Sequence, residues 1–137
     1  MISIFTNEYF NLYVLNNNEL HIDSTSEEIQ MKYQSNDVLS QEEKLEKMDS
    51  IMQYFYNFWI LAEQQNKNYT MHFNTNLLLI NMPLKYYYKI KELFESLKDI
   101  FNQCLIESTF KVENKKAKML ITFILSIYKP VKPVTII

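Results

Sequence analysis

A single α/β domain, with a mixed β-sheet that opens on a hairpin and three main helices packed on it, is what this chain predicts. Three observations predict it. Apolar residues recur at three- and four-residue spacing in two long stretches, short aromatic and β-branched runs alternate as strands do, and the two kinds of element take turns along the chain. With 137 residues, 47% hydrophobic and 15% aromatic, and a net charge of −2, the chain can bury a core of its own and is too apolar to stay unfolded.

The first strand is expected over residues 9–15, where Phe10, Leu12 and Val14 alternate with Asn11 and Tyr13, and the second over 20–23. Between them Asn16, Asn17 and Asn18 supply the turn, because in a chain with no glycine asparagine best tolerates positive φ. Residues 24–40 are polar and read as a mobile loop. Ser40 and Glu43 then have the spacing of a capping box, and Leu45, Met48, Met52, Phe55, Trp59 and Ala62 form the apolar stripe of a long helix over 41–65. Trp59, mid-stripe, is expected to be sheltered. Tyr69, Met71 and Phe73 alternate as a strand, which Leu77, Leu78, Leu79 and Ile80 continue or follow with a short one. Pro83 suits the first turn of a second helix whose apolar face runs Tyr86, Ile90, Leu93, Leu97, Ile100, Cys104. A strand over 105–112 follows. Residues 119–128 are apolar all round, so periodicity leaves helix and strand open. Asn114 as a cap and Lys129-Pro130 as a stop favour the helix, and Val134 to Ile137 then closes the sheet.

Composition excludes more than it assigns. There is no glycine for a phosphate-cradling loop and no arginine for a guanidinium fork, since all 14 basic residues are lysine. Phe, Tyr, Met, Ile, Asn and Lys make up about half the chain, the signature of a very AT-rich coding sequence such as those of large DNA viruses, obligate symbionts and parasites. The lysines are spread along the chain, so nucleic acid is not the expected partner. A lone Cys104 excludes an internal disulfide and fits the cytoplasm, or for a viral protein the host cytoplasm or the virion. No signal segment or membrane-length apolar run is visible, so no membrane insertion is expected.

No catalytic, cofactor or metal site is expected. His21 and His72 fall on separate strands, each read as a half-buried strand residue, and one cysteine gives no Cys/His spacing. Cys104 lies on an apolar helix stripe and reads as a small buried side chain. Lys115, Lys116 and Lys118, the one basic cluster, read as a solvated helix start or turn, with a phosphate contact as the lesser alternative. The tail around Pro130, Val131, Pro133 and Val134 is held extended by its prolines, which suits a sheet edge laid against a partner.

In element order and length, from about residue 9 to the end, the chain resembles the STAS domain, the fold of bacterial anti-sigma-factor antagonists. That family carries an Asp-Ser-Ser-Gly-type motif, phosphorylated on Ser by a partner kinase, at a strand-to-helix junction. Here the junction reads Ile80-Asn81-Met82-Pro83-Leu84-Lys85, with no Ser, Thr, Asp or Gly, so the resemblance implies a module without that switch. A related partner-switch family has a Phe-Asn-Thr run with Thr as acceptor, and Phe73-Asn74-Thr75 is similar to it, which makes Thr75 the candidate phospho-acceptor. The expectation is a non-catalytic protein-interaction module whose partner surface includes Asn81, Met82, Pro83 and the 130–134 tail. The alternative is a structural or accessory subunit of a virion or other large assembly, with homo-oligomers among its forms.

Overall fold

Six strands form one mixed sheet whose spatial order is their order in the chain, in a computed structural model that describes residues 1–7, 10–24, 41–74, 84–112 and 115–137. The strands are β1 (Ile2–Thr6), β2 (Phe10–Leu15), β3 (Glu19–Ser24), β4 (Tyr69–Asn74), β5 (Leu105–Phe110) and β6 (Val134–Ile136). The helices among the described residues are α1 (Gln41–Gln65), α2 (Leu84–Ser96), α3 (Lys98–Cys104) and α4 (Lys115–Ile127). β1, β2 and β3 pair antiparallel; β3, β4, β5 and β6 pair parallel. Three successive crossovers step in the same direction across the sheet. A common right hand therefore puts their helices on one face, and no helix or strand among the described residues covers the other, the open face.

Asparagine does the work of the missing glycine. Asn16 and Asn17 hold φ of 52° and 64° in the β2–β3 turn, closed by the Asn18 amide donating to the Leu15 carbonyl (3.2 Å). Asn66, at φ 54°, terminates α1 as a Schellman cap: the Lys67 amide donates to the Ala62 carbonyl (3.0 Å) and the Asn66 amide to that of Glu63 (3.1 Å).

Inward positions of the strands, among them Leu12, Leu20, Ile22, Met71 and Phe110, meet the helix stripes in a single core. Trp59 is wholly buried there, its ring edge-on to Tyr69 and Phe101 at 6.1 and 5.1 Å. The all-apolar run over 119–128 is helical as far as Ile127, and Ile121 and Ile124 of α4 are buried in the same core. The helix starts earlier than that run, at Lys115, because Ala117 already faces inward.

Four expectations are corrected. Residues 2–6 form an edge strand where none was predicted. Ser24, placed in the polar loop, is the last residue of β3. The second helix is interrupted at Leu97, where one amide is shared between the Leu93 and Phe94 carbonyls (3.2 Å each) and the Ser96 hydroxyl donates back to Leu93 (2.7 Å), so it is two helices, and the described residues hold four where three main ones were expected. The strand predicted over 105–112 ends at Phe110. The predicted loop from 25 to 40, the capping Ser40, the apolar run 77–80 and the capping Asn114 lie outside the described residues. No helix among the described residues is long and apolar enough to cross a membrane.

Candidate functional site

The outward positions of β2, β3 and β4 make a polar grid on the open face, because side chains alternate along a strand and register aligns them across it. One row, two residues nearer the β2–β3 turn, is Leu15, Glu19 and Thr70; the middle row is Tyr13, His21 and His72; the third is Asn11, Asp23 and Asn74. The middle row stacks. Tyr13 lies on His21 at 5.1 Å between ring centroids and 6° between planes, and His21 lies on His72 at 4.6 Å and 13°. A bulge in β5, opposite Tyr69 and Met71, shifts the phase of that strand and leaves both Ile106 and Glu107 exposed.

Hydrogen bonds fix the rows to one another. His21 Nε2 donates to Glu19 Oε1 (3.1 Å), whose second oxygen accepts from Asn16 Nδ2 (3.0 Å); His72 Nε2 lies 3.7 Å from the same Glu19 Oε1 and 2.9 Å from Thr70 Oγ1. Asp23 accepts from the Tyr13 hydroxyl on one oxygen and from Asn74 Nδ2 (2.7 Å) on the other. These contacts shift the titrations. The Asn16 and His21 hydrogen bonds hold the Glu19 carboxyl below its ordinary range. Burial, with the charge of His21, lowers the His72 imidazole against the opposing pull of Glu19 and Glu107. Burial first, then the Asp23 hydrogen bond and charge, pushes the Tyr13 phenol up to about 12.

Glu19, His21 and His72 therefore form the one group among the described residues able to hold a metal ion, with one donor atom from each lying within 4.8 Å of the others. An apolar cavity of about 90 Å³ lies elsewhere, under the helices, lined by residues such as Ile22, Phe55, Phe73, Phe94 and Ile124. Cys104 is buried, and burial with the charge of Glu63 raises its thiol, so it is no ready nucleophile.

Of the residues singled out from sequence, Thr75, Asn81, Met82 and Pro83 lie outside the described residues. Pro130, Val131 and Pro133 lead from α4 into β6, which opens at Val134. Val131 and Val134 turn partly into the core, so outward the segment offers backbone more than side chain. The two histidines, read separately from sequence, stand side by side. The signal for the cluster was the Glu19-x-His21 spacing on one strand face together with His72 on the outward phase of the next strand in the chain. Tyr13 and Asp23 carried the same outward phase.

Compared with protein families, with curated protein sequences and with solved structures, the chain matches none.

Proposed function

We propose that the chain is a non-catalytic, STAS-like interaction module of the cytoplasm that receives an extended segment of a partner protein along the free edge of β6, without the phospho-switch. One observation carries this reading. Among the described residues β6 ends the sheet and pairs on one side only; Pro133 and Ile137 turn their backbone groups to β5, with the Ser108 amide donating to the Pro133 carbonyl (2.9 Å) and the Ile137 amide to that of Phe110 (2.9 Å). By alternation Val134 and Ile136 turn an amide and a carbonyl each outward, the template that strand addition uses. Lys129 and Lys132 flank this edge with no acid between residues 128 and 137, which favours a segment bearing Asp or Glu.

The test is capture with the full chain and the Val134→Pro variant, which removes one outward amide while leaving the ladder to β5 intact. Partner affinity should fall about tenfold, the worth of roughly 1.4 kcal/mol. Undiminished capture by a folded variant would remove the edge from the reading.

A second reading, a constitutive subunit of a large assembly, is favoured by the opposite edge. Ile2, Tyr54 and Leu61 are exposed and line one shallow groove between β1 and α1. Solution mass separates the two: a monomer supports the transient module, a stable oligomer the subunit.

A further inference from the structure

We propose that Glu19, His21 and His72 bind a divalent transition-metal ion of the zinc class on the open face of the sheet. The backbone places the three ligands. Glu19 and His21 are two residues apart on β3 and so project from the same face, while His72 is the register partner of His21 on the parallel neighbour β4. All three stand on continuous strands, not on loops, and both imidazoles are sheltered, with side chains 14% and 27% exposed.

Their spacing suits a small ion. Donors at about 2.0 to 2.1 Å from a tetrahedral centre lie about 3.3 to 3.4 Å from one another. The two His-to-Glu19 separations, 3.1 and 3.7 Å, bracket that value. Two imidazoles with one carboxylate are a borderline donor set, which selects zinc-like ions over calcium and magnesium with their all-oxygen shells. Asn16 holds the second Glu19 oxygen and leaves Oε1 for the ion. Glu107 acts electrostatically on His72 from β5 and adds negative potential beside the cation. Three protein ligands leave a fourth position of a tetrahedral ion to water or to another side chain.

An imidazole lone pair lies in the ring plane, and the two rings are nearly parallel, so ion capture turns one or both about χ2 until the lone pairs converge. That torsion is broad for histidine, and the turn is small in energy. His21 Nδ1 is buried without a hydrogen-bond partner. Ligation through Nε2 leaves the ring proton on that nitrogen, where an orienting acceptor is ordinarily worth about 10- to 100-fold in metal affinity. The site is therefore weaker than a structural zinc centre, with a dissociation constant in the micromolar range.

The chain has only two histidines, so its imidazole signals report on this site alone. Titrating the full chain with zinc chloride should give one saturable site by calorimetry, and both sets of imidazole NMR resonances should move with the first molar equivalent. His72→Gln and Glu19→Gln should each weaken binding about tenfold or more while leaving the circular dichroism spectrum of the fold in place. Absence of saturable binding in the micromolar range overturns the site. So does zinc binding that moves neither imidazole, or that a folded His72→Gln variant retains at full strength.

Discussion

The two faces of the sheet are made by the same strands, residue by alternate residue, and carry opposite chemistries. On the helix-covered face β2, β3 and β4 present Leu12, Val14, Leu20, Ile22, Tyr69 and Met71, buried among aromatic rings of the helices. On the open face the intervening residues are Tyr13, Glu19, His21, Asp23, Thr70, His72 and Asn74, joined by hydrogen bonds and ring stacking. The difference separates two jobs within one set of backbones. The covered face supplies the stability of the fold, so the open face can hold ionisable groups in fixed register while burying them only in part.

The largest effect that would test this division is on the covered side. Trp59 has no exposed surface and makes edge contacts with Phe55, Phe58, Tyr69 and Phe101. Trp59→Ala should cost about 3 to 5 kcal/mol in urea unfolding, transfer and cavity together. The native fluorescence should be blue-shifted and move red on unfolding. A loss below about 1 kcal/mol would mean that the core is held elsewhere.

The covered face was also the legible one. The stripe from Leu45 to Ala62 named α1, and tolerance of positive φ named the Asn16-Asn17-Asn18 turn, of which Asn16 and Asn17 take that conformation, because both follow from local geometry. β1 escaped for want of pattern: five residues, irregular in register between Ser3 and Phe5, at a sheet edge with no strict alternation. The interruption at Leu97 escaped because Leu97 continues the apolar stripe and neither proline nor glycine marks the break. The open-face cluster needed more than local rules. His21 and His72 are 51 residues apart, and what brings them together is the pairing of β3 with β4 in one particular register. Each residue's outward phase was readable; the neighbour it would meet was not, since pairing depends on how a crossover closes.

An intermediate effect belongs to the open face. Asp23 accepts hydrogen bonds from Tyr13 and Asn74 and ties β2, β3 and β4 together at one end of the grid. Asp23→Ala should cost about 1 to 2 kcal/mol, since both released donors can turn to water. A loss as large as that of Trp59→Ala would break the comparison, for it would make the polar grid as structural as the core.

The smallest effect sets one tyrosine from each face side by side. Tyr87 of α2 and Tyr13 of β2 both have phenols pushed up to about 12, for different reasons. At Tyr87 the cause is burial, with a hydroxyl that has no hydrogen-bond partner; at Tyr13 burial is joined by the hydrogen bond to Asp23 and its charge. Both groups hold the proton more tightly in the folded chain than at the ordinary value of about 10. Their contribution to stability is therefore complete below pH 10 and is lost as the pH rises toward about 12. Tyrosine Cζ chemical shifts followed through this range should show both rings still protonated after exposed tyrosines have ionised. Asp23→Asn should then bring Tyr13 down, though not to 10, because burial is its larger cause, and should leave Tyr87 where it was. If Tyr13 does not move, the open face shelters its phenol as the core does, and the two faces differ less than their hydrogen bonds imply.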